Sequence, residues 1–406
     1  MITLADKYNC TGCSACVNIC NHKAITMHAD EEGFLQPLIN SMLCTECGLC
    51  VNSCPIISFE GKEYSNNQKQ TAYALISYQD RKVSSSGGAF SVFARWILNQ
   101  SGIVYGATMD ERQQVYHIGV DKIEELEKLR GSKYVQSRIG YTYREAKGWL
   151  RKGRKVLFTG TPCQIAGLYG FLNGKKYDGL LYTLDLVCHG VPSQKAFDAY
   201  LNKIKMNRPA SGKNIETFRF RKFDSWDYRT AIKFTKSKWE ILEYADNAYM
   251  NAFFKGLIFR ESCFRCHYCN TDRVGSFTIA DFWGIGKHGY KFNKNVACGV
   301  SLVIDNHGTM PQIIETLNQY AYIEKRWMEE AVFEQTNLKY PMIRSEMRGN
   351  IVKDMINPTL SLKDFSEKYD LPYRRTVKSV LKKCMKDLVY ALGLYNVYKT
   401  LSYKFS

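Results

Sequence analysis

Residues 10–55 constrain this chain more than any other stretch. They read CTGCSACVNIC, with Cys10, Cys13, Cys16 and Cys20, and then CTECGLCVNSCP, with Cys44, Cys47, Cys50, Cys54 and Pro55. Both halves are C-x2-C-x2-C-x3-C, a run that holds iron–sulfur clusters and in which the fourth Cys of each half ligates the other half's cluster. The spacing therefore assigns one [4Fe-4S] cluster to Cys10, Cys13, Cys16 and Cys54, and a second to Cys44, Cys47, Cys50 and Cys20. Three thiolates on one tight loop take three corners of a cubane, and crossing the fourth knits the two loops into one small domain. Tetrahedral zinc usually takes its ligands as two pairs, and a disulfide framework belongs to secreted chains. Neither accounts for two matching four-Cys runs.

At 406 residues the chain is too long for one ordinary core. The expected organisation is a small bacterial-type ferredoxin domain at 1–60, a larger mixed α/β domain at 71–345 and a short basic helical tail at 346–406, an α+β and α/β combination. No signal-peptide-like segment opens the sequence and no run of about 18 apolar residues occurs, so the expected location is the cytoplasm. There cysteines serve as ligands more often than as bridges, and seven of the 15 Cys lie outside the two runs. The net charge of +17 asks for an explanation. The basic residues are scattered and no nucleic-acid motif accompanies them, which excludes nucleic acid as the expected partner. An anionic cofactor, an acidic ferredoxin or an anionic membrane surface fits better, beside a plain solvated basic face.

Further along, the polar stretch 61–70 reads as a linker and 71–78 as a strand. The latter leads into Ser84-Ser85-Ser86-Gly87-Gly88 ahead of a helix carrying Val92, Phe93, Trp96 and Ile97. Small residues at a helix start leave N–H groups open to an anion, so this is a candidate pyrophosphate site. Strands are expected at 102–108 and 115–120, and helices at 123–129 and 143–151. The polar, basic and aromatic loop 130–137 lies between those helices. A buried strand at 155–159 ends in GTPCQ, with Cys163, and another at 180–187 ends in CHGVPS, with Cys188. Each delivers a Cys where open α/β sheets bind ligands. Strands at 216–221 and 230–235 and a helix at 246–257 precede Cys263, Cys266 and Cys269. Cys163, Cys188, Cys263 and Cys266 from three loops would hold a third [4Fe-4S] cluster, with Cys269 as a substitute ligand and zinc as the alternative occupant. The G-x-G-x-x-G match at 284–289 lacks the following crossover helix, so it is read as a loop beside a strand at 277–281. A strand at 300–304 and a helix at 310–320 close the domain. From Leu360 the chain reads as helical and basic, able to lie on an anionic membrane or to pack on its own domain.

Taken together, the two Cys runs, SSGGAFS, GSKYVQS, FTGTPCQIAGL, CHGVPS, SCFRC and TIADFWG resemble the coenzyme F420 hydrogenase/dehydrogenase beta-subunit family. The D-F-W-G-I and C-H-G-V-P-S segments resemble its bacterial branch, often associated with polysaccharide biosynthesis. The resemblance covers roughly residues 1–320. It implies an iron–sulfur flavoprotein in which FAD converts between one-electron clusters and two-electron hydride chemistry. Carried over by motif, Cys163, Cys188, Cys263 and Cys266 match the cysteines of the extra cluster, and Ser86, Gly87, Gly88, Lys133 and Tyr134 match segments around FAD. Cys269 departs from the family pattern by extending the pair to C-x2-C-x2-C.

The expected function is then an FAD-dependent oxidoreductase linking a ferredoxin or other redox partner protein to coenzyme F420, another hydride carrier or a sugar-linked intermediate. The alternatives are a non-catalytic electron-transfer subunit feeding a partner enzyme, and a cluster-bearing assembly protein held at the inner face of the membrane by the basic tail.

Overall fold

The computed structural model describes residues 2–58, 70–175, 177–206, 214–235 and 237–371, with Met385, Leu388 and Val389. The linker at 61–70, apart from Gln70, and nearly all of the basic tail after Leu371 lie outside the described residues.

The repeated Cys run is repeated in the backbone. Helices α1 (Ala15–Ile19) and α2 (Leu49–Asn52) each carry the third Cys of a run, and a hairpin of β1 (Ile25–Ala29) and β2 (Leu35–Ile39) lies between them. Left-handed backbone occurs at matched positions of the two runs, Gly12 with Glu46 and Ser14 with Gly48. Such φ values turn the chain sharply enough to point three sulfurs inward, and the two non-glycine residues adopt them against a steric cost of about 1 kcal/mol each.

The larger domain is built on an eight-stranded sheet. Its elements run β3 (Thr71–Ser77), α3 (Ala89–Leu98), β4 (Ile103–Met109), β5 (Val115–Val120), α4 (Thr142–Arg151), β6 (Val156–Gly160), α5 (Pro162–Leu172) and β7 (Leu181–Leu186). An excursion follows: α6 (Gln194–Met206), β8 (Ile215–Arg219), β9 (Thr230–Phe234), β10 (Trp239–Leu242) and α7 (Ala248–Phe254). The chain returns as β11 (Phe277–Asp281), β12 (Ser301–Asp305), α8 (Met310–Leu317), β13 (Ala321–Arg326), α9 (Met328–Phe333), α10 (Arg348–Ile356) and α11 (Leu362–Lys368). Spatial order in the sheet is β13-β3-β12-β11-β7-β6-β4-β5. The four central strands β11, β7, β6 and β4 are parallel, and antiparallel strands flank them on both sides. The centre is therefore an α/β sheet, whose ligand edge is the C-terminal end of β4, β6, β7 and β11.

Burial follows the hydrophobic pattern. Helix α3 turns Val92, Phe93, Trp96 and Ile97 onto the sheet, where Phe93 packs on Phe277 at 4.8 Å between ring centres. On the other face Phe158 of β6 is fully buried among Tyr105, His117 and Tyr143, a position where truncation to alanine costs about 3–5 kcal/mol. The excursion's three-stranded sheet, β10-β9-β8, packs Phe218 and Phe220 on Phe197 and Tyr249, and α10 joins that core through Ile351, Val352 and Met355.

Most elements fall where the sequence pattern puts them. The segment expected as a helix at 123–129 is a 3₁₀ turn, Ile123–Lys128, because E-E-L-E-K offers one fully buried side chain, Leu126, and cannot pay out a full apolar face. After Gly284 and Gly286 no helix follows and the chain stays in turns, consistent with the missing crossover pattern.

Candidate functional site

The structure brings the cysteines together in three groups. Cys13 and Cys16 lie within electrostatic reach of Cys10 and of Cys54 from the other run. Cys50 has Cys47 and the crossed-over Cys20 as neighbours, and a small cavity is lined by all of Cys20, Cys44, Cys47 and Cys50. The third group is Cys163, Cys188, Cys263 and Cys266, where Cys188 senses the other three. Burial, reinforced by the neighbouring sulfurs, pushes the thiol pKa values up, to about 11 for Cys163 and about 12 for Cys16 and Cys263. Such a group cannot ionise together without positive charge among its members, and a metal centre supplies that charge while displacing the protons. Among the described residues no three such side chains are drawn close enough for a single ion, whereas tetrahedral zinc at ~2.3 Å from each sulfur would need that. Cys269 is buried and hydrogen-bonds with Cys266, a contact that raises the Cys266 pKa more than burial does.

Local chemistry fixes each of these loops. Pro162 and Cys163 open α5, and a capping box closes its start: Thr161 N–H donates to Gln164 Oε1 at 3.0 Å. The Gln164 amide then donates to the Ser137 carbonyl and hydroxyl at 3.2 and 3.1 Å, fastening the 130–137 loop beside Cys163. Cys188 and the Cys263–Cys269 loop are joined by a fully buried ion pair. Arg273 donates to Asp185 at 2.8 Å, to the Leu186 carbonyl at 2.9 Å and to the Tyr268 carbonyl at 2.6 Å. The Gly275 N–H occupies the second Asp185 oxygen.

His117 lies under this junction. Its Nε2 donates to the Thr159 carbonyl at 2.9 Å, so its Nδ1 accepts the Ser137 hydroxyl, also at 2.9 Å. Burial pulls its pKa down from 6.5 to about 4. Below about pH 6.5 the unfolded chain takes up a proton that the folded chain refuses, so this contribution to stability is full above that pH and is lost as pH falls toward 4. It amounts to about 2 kcal/mol lost by pH 5. Anaerobic urea titrations at about pH 7.5 and 5 will show a larger drop in wild type than in His117→Gln; equal drops would assign the acid sensitivity to other groups.

The two segments matched to FAD also meet, through the Ser132 N–H donating to Ser85 Oγ at 3.2 Å. Ser86 Oγ donates to the Val300 carbonyl at 3.0 Å, and a Cβ on Gly87 would meet the Leu75 carbonyl at 2.2 Å. Gly88 has φ +91° and precedes α3. The Lys133 ammonium is engaged by three carbonyls, those of Ala107, Leu129 and Arg130, at 2.8–3.0 Å. Burial pulls its pKa down to about 7, while those acceptors favour the charged form. Tyr134 packs on Phe220, Phe253 and Phe254.

Sequence reasoning missed the polar knot beside Tyr134. Arg221 forms a two-armed pair with Asp281, Trp226 Nε1 donates to the same carboxylate at 2.7 Å, and Trp226 stacks on Trp283 at 4.9 Å. Its trace in the sequence is the run R-K-F-D-S-W-D-Y at 221–228. Also unforeseen is how the N-terminal module is fastened. Arg260, 1 % exposed, donates to the Cys10 carbonyl at 2.6 Å, the Leu35 carbonyl at 2.9 Å and Gln136 at 3.1 Å. Arg144 donates to the Asn18 and Cys20 carbonyls at 2.6 and 2.7 Å, and Arg348 pairs with Glu32 at 2.6 Å. A polar cavity of about 200 Å³ lies at this seam, with Lys7, Glu32, Phe34, Arg260 and Arg348 among its walls.

Fold and cysteine arrangement define an iron–sulfur protein of the electron-transfer, oxidoreductase-like kind. Residues 153–331 belong to the coenzyme F420 hydrogenase/dehydrogenase beta-subunit family, matching its C-terminal model, and residues 9–56 match the 4Fe-4S dicluster domain. A chain of the xenon-derivatised F420-reducing [NiFe] hydrogenase complex from Methanosarcina barkeri aligns at 15 % identity and TM-score 0.43, over 74 % of this chain and 91 % of that one. No curated protein matches the sequence. Among the described residues no helix is long and apolar enough to cross a membrane.

Proposed function

We propose that this chain is an iron–sulfur flavoprotein oxidoreductase with three [4Fe-4S] clusters and FAD. The first cluster is held by Cys10, Cys13, Cys16 and Cys54, the second by Cys44, Cys47, Cys50 and Cys20, and the third by Cys163, Cys188, Cys263 and Cys266. The observation that carries this reading is the convergence of four cysteines from three chain segments at the ligand edge of the parallel strands. FAD when bound supplies the exchange between hydride and single electrons. Gly87 and Lys133 are engaged by the protein itself, so FAD would be held by other groups of the 84–91 and 130–134 loops, with Tyr134 and the Trp226–Trp283 stack as nearby aromatic surfaces. Arg221 and Asp281 hold that stack in place, and the fully buried Arg221 stays charged through its carboxylate partner.

The hydride partner in this reading is coenzyme F420, another hydride carrier or a sugar-linked intermediate, and the one-electron partner is a ferredoxin-like protein. Anaerobic purification with iron and flavin counts tests it: about twelve iron atoms per chain and a yellow chromophore released on denaturation are expected. Zinc in place of iron, or no released flavin, would end it. The second reading, an electron-transfer subunit without its own substrate, is favoured by the family's description as a beta subunit. A flavin that candidate hydride donors fail to reduce, in protein whose clusters still accept electrons, selects that reading.

Exposure ranks the clusters. Cys47 is exposed, whereas Cys13 is buried. In air the second cluster is expected to decay first, with loss of about four iron atoms before any change in the third; simultaneous loss from all three would contradict the ranking.

A further inference from the structure

Helix α5 turns one face toward both halves of the molecule. Cys163, Gly167 and Gly170 are spaced i, i+4 and i+7 and so share that face. A Cβ on Gly167 would lie 2.9 Å from Cβ and 3.0 Å from Sγ of Cys13, and one on Gly170 would lie 2.1 Å from the carbonyl oxygen of Ser53, the residue before Cys54. One i to i+4 step is about 6 Å, so the 3.0 Å contact puts Cys13 Sγ within about 9 Å of Cys163 Cβ. Two further contacts point the same way. The Tyr143 hydroxyl is 3.1 Å from the same point on Gly167, donates to the Gln164 carbonyl at 2.6 Å, and lies within electrostatic reach of Cys13, Cys16 and Cys163. On the other side, Tyr8, Asn9 and Thr11 face Ser262, Arg265 and Cys266 across a narrow cavity, which brings the loops of the two centres together.

We propose that α5 is the electron bridge of the molecule and that Gly167 is a positioning residue, holding the third cluster at transfer distance from the first. The proposal rests on the third-cluster reading above. In the step, the reduced cluster on Cys163, Cys188, Cys263 and Cys266 loses one electron and the oxidised cluster on Cys10, Cys13, Cys16 and Cys54 gains it. No bond forms or breaks and no proton moves; a two-electron donor reducing the flavin supplies the electrons. The order from interior to surface then runs third, first and second cluster, ending at exposed Cys47.

The test uses the full chain with its clusters, without oxygen, in wild type, Gly167→Ala and the control Gly148→Ala, where an added Cβ meets nothing within 4 Å. Iron is counted, electron paramagnetic resonance is recorded after dithionite reduction, and the transfer rate to the ferredoxin clusters is followed after photoreduction of the flavin. Gly167→Ala is expected to keep its iron, lose spin coupling between the third and first clusters, and transfer on the order of tenfold more slowly, equivalent to about 1.4 kcal/mol on the barrier; Gly148→Ala behaves as wild type. Unchanged coupling and rate in Gly167→Ala overturn the bridge and leave the third cluster standing. Wild type with about eight iron atoms per chain instead removes the third-cluster reading itself. Should Gly167→Ala fail to fold, the comparison of wild type with Cys188→Ala decides: spin relaxation of the first cluster is expected to be faster in wild type, and identical relaxation overturns the proposal.

Discussion

Cys188→Ala, purified without oxygen, is expected to lose about four iron atoms per chain, while Cys269→Ala keeps them all. Cys188 lies within reach of all three other members of the group, Cys163, Cys263 and Cys266. Removing it leaves three thiolates, too few for the fourth corner of a cubane unless another sulfur moves in. Cys269 touches the group differently, through its hydrogen bond with Cys266. Such a bond to a cluster sulfur tunes potential without holding iron, so Cys269→Ala should shift the reduction potential of the third cluster downward at constant iron content. Equal iron loss from both variants would mean that Cys269 is a ligand; loss from Cys269→Ala alone would exchange the roles of the two.

The second large effect is expected at Asp185. This carboxylate is fully buried, and removing it leaves the buried Arg273 guanidinium without its counter-charge. Breaking a buried pair from one side costs about 3–5 kcal/mol, a large part of the total stability of an ordinary domain. The damage is also local to the site, because Arg273 ties the Leu186 and Tyr268 carbonyls, one beside Cys188 and the other beside Cys269. Asp185→Ala should therefore lower the thermal midpoint and lose the third cluster while the two ferredoxin clusters remain. Asp185→Asn keeps the shape and part of the hydrogen bonding and should fall between. A variant with lowered stability but a full third cluster would show that the pair holds the fold and not the cysteine loops.

How much of this was legible beforehand depends on the range of the interactions. The ferredoxin runs were readable because ligand spacing is a local property, and the strands ending at Cys163 and Cys188 were readable because buried parallel strands are short apolar runs. Strand β13 was missed: its A-Y-I-E-K-R carries charge where an edge strand faces water, which hides the alternation. The hairpin β1–β2 was missed for a similar reason, with Pro37 and two polar residues, Gln36 and His28, in short strands. The seam between module and sheet could not be read at all. Arg260 reaches Cys10 across 250 positions and Arg348 reaches Glu32 across 316, and no local pattern marks a guanidinium as destined for a distant carbonyl or carboxylate. Lys133 is the instructive mixed case, since the loop lies where the motif implied while its ammonium serves three carbonyls of the protein.

The arginine seam has a kinetic consequence. With Arg260, Arg144 and Arg348 each pinning a different part of the N-terminal module, the module is a fixed terminal and not a swinging arm that must diffuse between docking stations. Steps inside the molecule should then be indifferent to added glycerol or sucrose. Viscosity will slow only the arrival and departure of the soluble carrier outside.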